Sequence, residues 1–257
     1  MPEEAALQNE TPFVEVGRPI PRRDSRVAWH TPGRVVADSP APCDMVLNCY
    51  VDLLMQSDHR RAMEIIEGAV ASGIPLAEVY VRILQPALAE IGRRCEANLA
   101  TAADQRYAAT ITQRLMARLQ AEVPRQARRG RSIVAACVDG DQHDIGILML
   151  SDLIDLDGWD AYCAGACVPT HDLIITLERR KPNVLALSAT MLGGLLRVVD
   201  VVTEIRKCGA LQGLRIMVGG RMFNEDPHLW RKIGADGYAR DATDAVLLAN
   251  WLMSPER

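Results

Sequence analysis

The chain has 257 residues, 49% of them hydrophobic and 24% charged, with a formal net charge of −4. That length suits two compact units, and the balance is that of an ordinary globular protein. The charge argues against a nucleic-acid-binding field over the whole surface. No apolar run approaches the ~20 residues that span a bilayer, and the opening MPEEAALQNE has no apolar signal core. A cytoplasmic protein is expected.

Residues 1–40 hold six prolines and no sustained period, the pattern of a flexible arm. Arg18, Arg22, Arg23, Arg26 and Arg34 make it locally basic, so it is a candidate for contact with a partner or with DNA phosphates. A helical unit is expected over 41–122. Val46, Leu47, Tyr50, Val51 and Leu54 recur at helical spacing, and Ser57-Asp58 can cap a second helix that Ser72-Gly73 ends. Pro75 suits the first turn of a third helix, which Pro86 can bend. A fourth begins at Thr101, with Ile111, Leu115 and Leu119 inward. Four helices with short loops suggest a bundle. VPRQARRGR, residues 123–131, reads as a linker.

From 132 to 257 the period changes. SIVAACV (132–138) suits a strand buried on both faces. A helix Ile145–Leu156, a strand 159–165, a helix Asp172–Arg180 and a strand 183–189 follow. A helix to about Lys207, a strand 214–220, a helix near Pro227–Ile233, a strand 235–239 and a helix 242–253 complete the pattern. Strands alternating with helices imply an α/β, doubly wound five-stranded parallel sheet. We take the flavodoxin-like order 2-1-3-4-5, in which ligands bind beyond the carboxyl ends of the strands.

The seven cysteines are scattered and expected as free thiols; Cys163 and Cys167 lack the second ligand pair that zinc needs. His30, His59, His171 and His228 are expected to cap helices or face solvent. Three strand ends carry less ordinary residues. Strand 1 runs into Asp141-x-His143-x-x-Gly146, strand 3 into Ser188-Ala189-Thr190, and strand 4 into Gly219-Gly220.

These three motifs, each at its own strand end, resemble the cobalamin-binding domain of methionine synthase and the corrinoid proteins. The resemblance covers about 131–253 and includes Val168-Pro169 as a loop after strand 2. It implies that His143 is the lower axial ligand of cobalt. It also implies that Gly146 leaves room for the nucleotide tail, that Ser188 and Thr190 contact the benzimidazole, and that Gly219 and Gly220 let backbone approach the tail. Imidazole binds cobalt when neutral. Asp141, two residues away on what would be extended backbone, can accept the proton of the other nitrogen and orient the ring.

Residues 75–119 resemble the helical cap over the upper corrin face. Where light-sensing relatives carry Trp and Glu-His, this chain has Cys95 and Gln105-Arg106. The arm, cap and corrinoid module together resemble the AerR/PpaA-type antirepressors of photosynthetic bacteria. That resemblance implies a light-responsive regulator of transcription, not an enzyme, whose partner is a DNA-binding repressor of PpsR/CrtJ type. The altered cap favours hydroxo- or aquocobalamin, with adenosyl or methyl forms as alternatives. The rival reading is a corrinoid methyl carrier of a methyltransferase system; a third is a storage or chaperone module.

Overall fold

The computed structural model describes residues 41–124 and 126–254; the arm, with its arginines and His30, lies outside them. In the helical unit, α1 (Ala41–Met55) and α2 (His59–Ala71) turn at Ser57, and Asp58 caps α2 by accepting the Arg61 N–H at 3.1 Å. Pro75 stands at the N-cap of α3 (Leu76–Glu78), one position before the first-turn site expected for it. No break follows. The helix widens into a π-helical stretch, Val79–Leu84, and resumes as α4 (Gln85–Glu96). The expected bend at Pro86 takes this form because proline lacks an N–H and its ring crowds the carbonyl four residues back; widening the turn relieves that clash. In α5 (Ala102–Glu122), Thr101 and Asp104 form a reciprocal capping box. Tyr50 Oη and Thr112 Oγ1 meet at 3.0 Å inside the bundle.

The second unit runs β1 (Ser132–Val138), α6 (Ile145–Leu156), β2 (Asp160–Val168), α7 (Thr170–Arg180), β3 (Val184–Ser188), α8 (Leu192–Lys207), β4 (Arg215–Gly219), α9 (Arg221–Glu225), α10 (Leu229–Lys232), β5 (Gly237–Tyr238) and α11 (Ala242–Leu252). The sheet is wholly parallel in the order β2-β1-β3-β4-β5, as expected. Alternation along β1 sets its two faces. Ile133, Ala135 and Cys137 join a core shared with α6, α11 and the helical unit, while Val134, Ala136 and Val138 join one with α7 and α8. Among the described residues, no helix is long and apolar enough to cross a membrane.

Three sequence expectations need correction. Val168 is not in a loop but pairs with Val138, because β2 keeps pairing with β1 through two register shifts, with Cys167 at φ 52° beside the second. The helix expected near Pro227–Ile233 is shorter, and α9 precedes it; Pro227 holds Asp226 in non-helical backbone between the two. The expected linker is also no loose tether. Its Gln126 and Arg129 N–H groups bond the Leu156 and Gly158 carbonyls at 2.9 and 2.8 Å, and the Arg129 guanidinium reaches buried Asp157 at 2.6 Å. Gly158 is required at this corner: φ is +87°, and a Cβ there would lie 2.3 Å from the Ala127 carbonyl oxygen.

Candidate functional site

At the end of β1 the chain turns through Asp139-Gly140 and buries the side chain of Asp141 completely. A buried carboxylate must have donors, and Asp141 has three. Its Oδ1 accepts the His143 backbone N–H at 3.0 Å and His143 Nδ1 at 2.9 Å, and its Oδ2 accepts the Thr190 N–H at 2.5 Å. The Asp141 carbonyl also accepts the Cys167 N–H at 3.0 Å. One residue therefore joins the loops that follow β1 and β3 to the end of β2. The pairing with His143 comes from an Asx turn, in which a side-chain oxygen bonds the N–H two residues on, and not from the extended backbone expected.

The charges follow from this packing. Burial pushes the Asp141 carboxyl up, but the bonds from His143 and Thr190 outweigh it and hold the group below its usual range. The hydrogen bond to Asp141 raises His143 above the ordinary imidazole value, against a smaller opposing effect of burial. With Nδ1 engaged and the side chain 48% exposed, Nε2 is the nitrogen left to meet a ligand. Cys137 packs beneath; its Sγ approaches the His143 carbonyl at 3.4 Å, and burial pushes its thiol well up.

The other expected residues gather at the same edge. A Cβ at Gly146, in the first turn of α6, would meet nothing within 4 Å. Packing within the protein does not require glycine there. Ser188 is buried at the end of β3, and Thr190 is half-buried. Gly219 and Gly220 are required by the protein itself. A Cβ at Gly220, where φ is +93°, would lie 2.6 Å from the Ala189 carbonyl oxygen and 2.8 Å from Ser188 Oγ; at Gly219 it would lie 3.0 Å from the Ala239 carbonyl oxygen. The glycines let the ends of β3, β4 and β5 close together as a cradle, a packing role that stands beside the backbone approach to a tail expected from the sequence.

Sequence reasoning missed Gly194. A Cβ there would sit 3.4 Å from Asp141 Oδ2, so the start of α8 lies against the carboxylate. Only the Gly193-Gly194 pair inside a helical pattern hinted at it. In the helical unit, Cys95 Sγ donates to the Thr101 carbonyl at 3.2 Å, Gln105 is half-buried and Arg106 is exposed. Glu96 meets Arg221, the residue after Gly220, at 3.1 Å, and Gln113 Nε2 donates to Asp144 at 3.0 Å. The first contact brings the α4–α5 tip to the carboxyl end of the sheet, and the second ties the middle of α5 to the residue that precedes α6. His59, His171 and His228 are exposed at helix starts.

A half-exposed imidazole oriented by a buried carboxylate, beside a cradle of strand ends, fits a cobalt corrinoid: the donor suits the metal, and the second partner fixes the ring tautomer. Fold and site together define a cofactor-binding α/β protein with a helical unit packed against it. Residues 131–247 match the family model for the B12 binding domain, and residues 46–120 match a second B12 binding domain model. The chain belongs to the cobalamin-binding family, and cobalamin is its cofactor class.

Trimethylamine corrinoid protein 1 of Methanosarcina acetivorans is 26% identical over 199 residues, which cover 76% of this chain and 91% of that protein. Dimethylamine corrinoid protein 3 of the same organism is 26% identical over 215 residues, covering 83% and 99%. The solved structure of the Methanosarcina barkeri monomethylamine corrinoid protein superposes with a TM-score of 0.72 at 20% identity, covering 82% of this chain and 99% of that one. It shares the fold. These relatives overturn the expected partner. Proteins similar to this chain over nearly their whole length are methylamine corrinoid proteins, so a PpsR/CrtJ-type repressor and DNA contact through the arm are withdrawn. The light-responsive, photosynthesis-regulating reading gains no support from them, nor does the likeness to AerR/PpaA-type antirepressors.

Proposed function

We propose that this chain is a corrinoid methyl carrier that serves a methyltransferase partner and is not itself an enzyme. His143 would hold the cobalt through its Nε2 lone pair, while Asp141 keeps the proton on Nδ1 and fixes the tautomer. Gly146 leaves the passage open for the nucleotide tail, and Ser188, Thr190, Gly219 and Gly220 line the cradle that receives it. When bound, the corrinoid supplies a cobalt that accepts and releases a methyl group. The observation that carries this reading is the fully buried Asp141 carboxylate, aimed at His143 Nδ1 from 2.9 Å. The methylamine corrinoid names of the relatives support the carrier role over a regulatory one.

The test begins with the full chain titrated with hydroxo-, methyl- and adenosylcobalamin, followed by visible spectra and cobalt(II) electron paramagnetic resonance. Hydroxo- or aquocobalamin is expected to bind most tightly, with hyperfine splitting from a histidine nitrogen. His143→Ala should abolish that splitting and weaken binding at least tenfold. With 15N-labelled protein, which tells a histidine nitrogen from the benzimidazole nitrogen of the corrinoid, a 15N splitting that is unchanged in His143→Ala would remove the ligand assignment. For the carrier role, the loaded protein is incubated with methyltransferases for mono-, di- and trimethylamine and their amines. Methylation of the bound corrinoid by at least one is expected; none with all three would sink the carrier reading.

A further inference from the structure

We propose that Met191 and Leu192, at the start of α8, form an apolar lip that packs against the edge of the corrin ring and adds ring affinity independent of the nucleotide tail. The inference rests on the corrinoid reading above. Met191, Leu192 and Leu196 are 55%, 67% and 63% exposed, and they fall within two turns of one helix. Single exposed hydrophobics are ordinary, whereas a contiguous group marks a surface that something covers.

Their position says what covers the first two. The Thr190 N–H is fixed to Asp141 Oδ2, and the other oxygen of that carboxylate holds His143 Nδ1. Met191 is the next residue, about 3.8 Å further by Cα. The lip thus stands one residue from the clamp that orients the proposed cobalt ligand.

The local sequence also breaks the rules of a helix start. Met191 occupies the N-cap, where Ser, Thr, Asp or Asn would bond a free N–H, and it makes no such bond. Gly193 follows in the first turn, costing helix stability, although a Cβ there would meet nothing within 4 Å. Neither folding nor packing explains an uncapped start with two exposed apolar side chains and a bare exposed backbone. Such unreturned local costs concentrate where a ligand sits. A corrin is a broad, flat ring with a methylated edge; apolar side chains match those methyls, and bare backbone at Gly193 lets the edge come close. A protein partner would instead use the whole ridge, including Leu196.

The test compares the full chain with Met191→Gln/Leu192→Gln and with Leu196→Gln, using hydroxocobalamin and cobinamide, which lacks the nucleotide tail. The double variant should lose about tenfold in affinity for both ligands, while Leu196→Gln stays within about twofold. The reciprocal swap Met191→Leu/Leu192→Met should keep the affinity. If the double variant does not fold, the two single glutamine variants are read, each expected to lose about threefold. Unchanged affinity in the glutamine variants, or a loss confined to cobalamin, overturns the lip. A wild-type chain that binds neither corrinoid overturns the parent reading instead.

Discussion

At the end of β1, Asp141 gives both carboxylate oxygens to donors from two different loops and is itself fully buried. The tip of the helical unit is built otherwise. Its Thr101–Asp104 box is closed within a few residues, Cys95 makes one bond to the Thr101 carbonyl, and the tip meets the sheet edge through the exposed pair of Glu96 with Arg221. The first region is held by contacts far apart in sequence and cannot shift without uncovering a charge. The second is closed mostly by contacts between near neighbours in sequence and meets the sheet edge through exposed charges. That division suits a cofactor held firmly from below and reached from above.

Substitutions at the rigid region should act most strongly. Asp141→Asn loses the charge that holds the His143 proton, so corrinoid affinity should fall about 10- to 100-fold by titration; a loss under threefold would show that the clamp does not govern the ligand. Gly220→Ala forces a side chain into positive-φ backbone and against the Ala189 carbonyl. It should cost roughly 3 kcal/mol of unfolding free energy in denaturant titrations, and an unchanged midpoint would mean that the cradle relaxes freely. Tyr80→Phe removes the 2.8 Å bond from the π-helical stretch to Asp152 on α6 and should cost about 1–2 kcal/mol in the same assay. Arg221→Ala, which breaks an exposed pair with Glu96, should leave Tm unchanged. A clear drop there would make the tip as rigid as the clamp and erase the contrast.

Much of the architecture was legible because it is local. SIVAACV and NVLALSA are continuous apolar runs that only a doubly covered strand explains, and Thr101 with Asp104 reads directly as a helix start. The Asp141–His143 pair was legible because its residues lie two apart. What stayed hidden depends on distance along the chain. Thr190 is 49 residues from the carboxylate it bonds, and the Gly193-Gly194 pair hints at a close approach without saying that Asp141 is what α8 lies against. The π-helical stretch was hidden for another reason: a proline signals a disturbance without saying how the backbone absorbs it. The partner was misjudged because it was carried over from the resemblance to AerR/PpaA-type antirepressors; the arm's arginines describe only an electrostatic field, which selects a charge sign and not a particular protein.

The shared core has one more consequence. Tyr50, Tyr80 and Ile91 of the helices belong to the same buried cluster as Ile133, Met149 and Trp159 of the sheet unit, and the joint between them is sewn along α6. Heating should therefore dissolve helices and strands in one cooperative event, although two separate family signatures divide the chain. Severed near residue 131, the strand-bearing half would expose oily surface to water and tend to clump.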